Sequence, residues 1–232
     1  MSATKIEFAV QMTCDSCVEA VKKSLENVAG IKSVDVDLKK GSVVVDSNLS
    51  TLDLQKRLES TGRKVAVKGY SGSVAAVSLL EAGRAGIQGV IRFVQANPKV
   101  CIIDGTIDGL NPGPHHISIH ETGDLSQGCE SVGDIFNKDN ENGRVYGDLG
   151  RVTVENNGRA DFRLEDNTLK LSDVIGRSFV VAENGEGKRL VCGIIARSAG
   201  LFQKIQKLYV PVMGLLFGMK WLNLSLHYNL TT

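Results

Sequence analysis

From residue 87 to about residue 200 the sequence breaks into short runs in which apolar and polar residues alternate: GVIRFVQ, KVCIIDGTIDGL, HHISIHE, GRVTVE, ADFRLE, SFVVAE and RLVCGIIA. A period of two sends one side of each run into a core and the other into solvent. Gly-, Asn- and Asp-rich turns separate the runs, and no sustained helical period interrupts them. This pattern predicts an all-β sandwich or barrel.

Residues 1–70 have a different texture. TKIEFAV (4–10) alternates like a half-buried strand, and Val18, Val21, Leu25 and Val28 follow at helical spacing, with Gly30 as the stop. IKSVDVDL and SVVVDS flank a Lys39-Lys40-Gly41 turn and read as a hairpin. Ser50 stands where an N-cap belongs, ahead of Leu52, Leu54 and Leu58, and Thr61-Gly62 closes that helix before a last strand, KVAVKGY. The order βαββαβ predicts an α+β ferredoxin-like domain over residues 1–70. Residues 71–86, rich in Gly, Ser and Ala, read as a linker with room for one helical turn. The β-rich domain then spans 87–201, and an apolar tail without turn punctuation occupies 202–232.

Hydrophobic residues make up 42% of the chain and charged residues 23%, the balance of a soluble globular protein. The net charge of +1 hides an uneven distribution, acidic over 87–200 and basic over 201–232. No segment is basic enough to make nucleic acid a main partner. Residues 1–20 hold no apolar stretch behind a basic start, so no signal peptide is expected, and a cytoplasmic location is the expectation. The apolar stretch from Val210 to Met219 is cut short by Lys220, well below the roughly 20 residues needed to span a bilayer.

Five cysteines are too few for a disulfide scaffold, but Cys14 and Cys17 form a C-x-x-C pair between the first strand and the first helix. Thiolates are soft ligands and suit Cu(I). A helix N-terminus lowers their pKa, and a solvent-facing loop leaves room for a third thiolate from an incoming protein. A thioredoxin-like motif would carry Gly-Pro between the cysteines where this chain has Asp15-Ser16, and a zinc site would need a second ligand pair that is missing nearby. Met12-Thr13-Cys14-Asp15-Ser16-Cys17 within a βαββαβ domain resembles the heavy-metal-associated family of copper carriers. That resemblance implies a basic or an aromatic side chain opposite the thiols, and Arg63 and Lys64 stand in that stretch. Met12 is expected to anchor the loop in the core.

The central segment resembles Cu/Zn superoxide dismutase through GVIRF, IDGL, IHETGD, GDLGRVT, ADFRLED, VIGRSFVVAE and RLVCGIIA. The resemblance implies an eight-stranded Greek-key barrel, a disulfide between Cys129 and Cys192, and Arg189 at the place of the enzyme's channel arginine. It also implies that most metal ligands are gone. The copper-histidine segment reads Ser118-Ile119-His120-Glu121, the bridging histidine falls at Ile135, the last copper histidine at Ala182, and only Asp148 of the zinc set remains. Zinc is therefore not expected as a cofactor, no dismutase activity is expected, and His115, His116 and His120 read as structural. Gly123, Ile175, Gly176 and Ile194 match the dismutase dimer surface, while Arg197 replaces an apolar residue there.

A Cu(I)-carrying domain joined to a ligand-poor dismutase fold is similar to the copper chaperones of superoxide dismutase. The resemblance implies Cu(I) as cargo, heterodimer docking to a Cu/Zn superoxide dismutase, and help in forming the target's disulfide. A homodimer and a copper importer acting as donor are further partners it allows. A membrane-tethered or non-delivering copper-binding protein and an unusual dismutase are the alternatives. The resemblance runs through Leu201-Phe202-Gln203 and stops, and no cysteine follows Cys192 where the family carries a C-x-C. Codons for Tyr209 to Gly218, read two bases later, can encode Cys-Thr-Cys-Asp-Gly-Thr-Ile-Ile-Trp, which points to a shifted frame or alternative splice near Gln203. Target binding without efficient disulfide maturation is the expected consequence.

Overall fold

The computed structural model describes residues 2–71, 74–138, 143–184 and 187–198. The expectations for the tail, 202–232, lie outside the described residues. The first unit runs β1 (Thr4–Val10), α1 (Asp15–Leu25), β2 (Ile31–Asp37), β3 (Ser42–Ser47), α2 (Thr51–Glu59) and β4 (Val65–Ser71). Its sheet has the order β2-β3-β1-β4, which makes β1 central, paired with β3 on one edge and β4 on the other. Ile6, Phe8 and Val10 of β1 point to one face and meet Val21 and Leu25 of α1 and Leu54 and Leu58 of α2 in a single core. This is the ferredoxin-like arrangement read from the sequence.

Local chemistry sets the helix ends. Ser50 caps α2 by accepting from the Asp53 amide at 3.2 Å, as the sequence suggests. Helix α1 ends at Leu25, short of Val28, because Glu26 turns extended and Asn27 is left-handed at φ 56°. Gly30 serves the chain reversal beyond the helix. A side chain there would meet Asn48 Oδ1 at 2.4 Å, on a backbone with φ +96°.

The second unit comprises β5 (Val74–Leu80), β6 (Ala82–Gly83), β7 (Gln88–Asn97), β8 (Val100–Asp108), β9 (Gly113–His120), β10 (Ser126–Cys129), β11 (Asp148–Val154), β12 (Arg159–Asp166), a short helix α3 (Leu171–Val174), β13 (Ser178–Ala182) and β14 (Arg189–Ser198). Eight strands follow one another in the order β11-β9-β13-β14-β5-β7-β8-β12, all antiparallel, and β11 and β12 come together to close the barrel. Phe93, Ile103, Ile117, Phe179 and Val181 fill the interior.

One expectation is corrected. Within residues 71–86, which read as a linker with a helical turn, Val74–Leu80 is a barrel strand hydrogen-bonded between β14 and β7. Its sequence, VAAVSLL, hides the alternation, because Ala75 and Ala76 are adjacent and both are buried.

A disulfide joins Cys129 to Cys192 across 63 residues of sequence. Closing a loop of that length stabilises the fold by about 4 kcal/mol in the chain-entropy account. Replacing both cysteines with serine should lower the denaturant midpoint of the barrel by a corresponding amount. Unchanged unfolding of that variant would show that the bridge adds nothing.

Candidate metal centre

Cys14 is the N-cap of α1, with an extended backbone that turns the chain out of β1 and into the helix. Cys17 lies one turn in, on the same stripe as Val21 and Leu25, so helical periodicity fixes one thiol at the edge of the core while the other stays exposed. The two Sγ atoms are 3.3 Å apart, far beyond a disulfide bond and close enough to share one ion. Met12 packs against the domain core and anchors the loop.

The site is tuned toward thiolate. A hydrogen bond from the Thr13 backbone, then the Arg63 side chain, then Cys14, bring the Cys17 thiol down from its ordinary value to about 6. The part played by Thr13 is invisible in the sequence, since a backbone donor carries no residue signature. Arg63 is held in place by donating from Nη1 to the Thr61 carbonyl at 2.7 Å. Lys64 is exposed and lines a separate hollow with Gln11, Lys40 and Gly41, so the structure divides the two cations that the sequence offers together. Cys101 makes the contrast: burial first, and then the charge of Asp166, push its thiol up to about 12.

The hollow holding the residues matched to dismutase metal positions can be read in the same way. Ser118, His120, Ile135, Asp148 and Ala182 line one hollow with His116, Asp134 and Arg189. The polar groups left there bond to one another or to the backbone. His116 Nε2 meets Asp148 Oδ1 at 2.9 Å, His120 Nδ1 meets the Gly133 carbonyl at 2.9 Å, and His120 Nε2 meets Ser118 Oγ at 3.1 Å. Burial, with Arg189 adding to it, holds the His120 imidazole below its usual range. His115 lies apart from the hollow, its Nδ1 3.2 Å from the Gly113 carbonyl. Among the described residues no group of three or more His, Cys, Asp or Glu side chains is arranged to hold a metal. Arg189 donates to the Cys129 carbonyl at 2.8 Å and the Gly133 carbonyl at 2.7 Å, which ties it to the disulfide loop.

The expected docking residues fall into two groups. Gly123, Gly176 and Ile194 come together: a side chain on Gly123 would meet the Gly176 carbonyl oxygen at 2.4 Å and the Ile194 methyl at 3.4 Å. Ile194 is 43% exposed, whereas Ile175 turns partly into the barrel core. Arg197 is exposed on β14, opposite Ala76 of β5. Sequence reasoning misses Leu79, the most exposed large apolar side chain among the described residues at 51%, which lines a hollow with Val77, Leu125, Ile194 and Ala196. Its strand carries too little alternation to stand out from a linker.

Fold and site together define a small α+β domain with a thiol pair built to hold a soft metal ion, followed by a closed antiparallel β-barrel. Residues 7–64 match the heavy-metal-associated domain, and residues 87–195 match the copper/zinc superoxide dismutase family. The mouse (Mus musculus) copper chaperone for superoxide dismutase is 48% identical, over 85% of this chain and 82% of its own length. The human (Homo sapiens) copper chaperone for superoxide dismutase is 46% identical over the same shares. A chloroplastic and cytosolic relative of that name from Arabidopsis thaliana is 36% identical, over 87% of this chain and 66% of its own length. The chain belongs to the family of copper chaperones for superoxide dismutase.

A thiol held at about pH 6 is a thiolate at neutrality. Because this pKa is depressed on folding, the stability it contributes is present above the ordinary thiol range and is lost as pH falls through about 6. Absorbance of the apo protein at 240 nm should therefore rise with a first midpoint near pH 6. Arg63→Gln should move that midpoint upward, and Lys64→Gln should leave it in place. Equal shifts in the two variants would contradict the division of roles.

Proposed function

We propose that this chain carries Cu(I) between Cys14 and Cys17 and delivers it to a Cu/Zn superoxide dismutase, docking as a heterodimer and assisting formation of the target's disulfide. The observation that carries the reading is the reduced thiol pair, one member exposed and the other drawn toward thiolate beside Arg63. Two thiolates satisfy Cu(I) and reject the harder ions that need carboxylate or imidazole. An exposed Cys14 gives an incoming thiolate access to the ion, so copper moves by ligand exchange without being released. Zinc has no role in this reading.

Docking uses the face that carries Leu79, Ile194, Gly123 and Gly176, where exposed apolar side chains sit beside glycines that admit close backbone approach. Arg197 adds a cation to the same strand, and a symmetric homodimer that brought its two copies together would set like charges against each other. The working location is the cytoplasm, where thiols stay reduced and a copper importer is a suitable donor. No helix among the described residues is long and apolar enough to cross a membrane.

Replacing Cys14 and Cys17 with serine should abolish stoichiometric Cu(I) binding, measured by competition with a chromophoric chelator, without exposing a zinc site. Undiminished copper binding would overturn the assignment. Leu79→Glu and Gly176→Glu should each weaken association with a reduced, metal-poor dismutase subunit by about 2 kcal/mol, roughly 30-fold, in calorimetry. Copper binding should be unaffected, and undisturbed association would place the interface elsewhere.

A further inference from the structure

The outer wall of the barrel is dry in one place. On β7, β8 and β12 the inward residues are Ile91 and Phe93, Ile103 and Ile107, and Ala160 with Phe162 and Leu164. The alternation therefore turns Val94, Ile102, Asp104 and Arg163 outward. These four are nonetheless 1%, 1%, 2% and 9% exposed. What covers Val94, Asp104 and Arg163 is the copper-carrying domain. Val94 belongs to that domain's own core cluster, alongside Ile6, Leu54 and Tyr70.

Within this dry patch Asp104 and Arg163 stand directly opposite each other on paired strands, with Arg163 Nη1 3.8 Å from Asp104 Oδ2. Their hydrogen bonds come from the other domain. The Thr51 amide, at the start of α2, donates to Asp104 Oδ2 at 2.9 Å. Arg163 Nη2 donates to Thr4 Oγ1 at 2.9 Å and to the Ser2 carbonyl at 3.2 Å. The Thr51 hydroxyl bonds to the buried Tyr70 hydroxyl, and Ser50 Oγ donates to Asp161 at 3.0 Å at the rim. Asp104 Oδ1 and Arg163 Nε have no direct partner, so the pair depends on the few hydrogen bonds it has.

We propose that Asp104 and Arg163 form an orientation lock that fixes the copper-carrying domain on the barrel as one rigid body, which makes them positioning residues for the thiol pair. Apolar contact through Val94 attracts without direction, and many rotations of one domain on the other would satisfy it about equally. A buried ion pair is selective. Its carboxylate is served only when the α2 N-terminus sits over β8, and its guanidinium only when the start of β1 sits over β12. Any other orientation leaves charge unpaired in a low-dielectric interface. The lock grips β1 at Thr4, and the thiol loop leaves β1 after Val10. Six residues of extended strand, about 20 Å, thus hold the copper site away from the barrel on a stiff arm. The lock acts whatever the cargo, so its failure would leave the copper reading untouched.

The test is 15N relaxation on the full chain, comparing amides of β1, α1 and β3 with amides of β8, β13 and β14. The wild type should show one rotational correlation time throughout. The double variant Asp104→Leu/Arg163→Met keeps the volume and removes both charges, so it should stay folded, with dispersed spectra in both domains and unchanged copper stoichiometry. Its smaller domain should nevertheless tumble separately, with a correlation time roughly twofold shorter, as expected for a unit of about 70 residues freed from a larger body. Arg163→Met alone should do the same, with broader loss of structure at the junction. A single common time in the double variant would overturn the lock, and two times in the wild type would overturn it without any variant.

Discussion

The seam between β14 and β5 is the constraint on which the rest of the barrel depends. Ile195, Ala196, Arg197 and Ser198 pair with Ser78, Val77, Ala76 and Ala75, and the seam joins the half-barrel β11-β9-β13-β14 to the half-barrel β5-β7-β8-β12. Only glycine fits at its upper end, since a side chain on Gly193 would lie 1.9 Å from the Leu79 carbonyl oxygen. With the seam fixed, a strand's period of two distributes the roles. Val191 and Ile195 turn into the barrel core, while Cys192 and Ile194 face outward, Cys192 covered by the disulfide loop and Ile194 emerging beside Leu79.

The hollow around His120 holds no cluster of metal-binding side chains among the described residues, and its hydrogen bonds show where its polar groups find partners instead. Ile135 and Ala182 present hydrocarbon, His116 pairs with Asp148, and His120 is satisfied by Ser118 and the Gly133 carbonyl. Arg189 directs its donors to the carbonyls of Cys129 and Gly133, bracing the loop that the disulfide also holds.

The cysteines illustrate how environment assigns chemistry. Cys17 and Cys101 are both shielded from solvent, yet one thiol is drawn down to about 6 and the other pushed up to about 12. Donors from Thr13, Arg63 and Cys14 stabilise the first anion, whereas apolar surroundings and the Asp166 carboxylate oppose the second. Cys14 and Cys17 sit where a strand ends and a helix begins, and that junction supplies both an exposed sulfur and a shielded one.

By itself the sequence determined the features that depend on neighbours along the chain. The alternating runs foretold the barrel strands, the βαββαβ order foretold the first domain, Ser50 marked its helix start, and the C-x-x-C spacing put two thiols on one loop. Strand β5 escaped because small residues can be buried on both faces, so VAAVSLL carries no period to read. Leu79 escaped with it. Only the tertiary structure separated Arg63 from Lys64, because adjacent residues leave a chain on opposite sides and the fold alone decides which side meets the thiols. Only the tertiary structure set Asp104 against Arg163 beneath another domain, since the partners of a buried charge lie more than 50 residues away in sequence at Thr51 and about 160 away at Thr4. Local pattern fixes which face of a strand is apolar, and packing decides what that face, or its opposite, comes to touch.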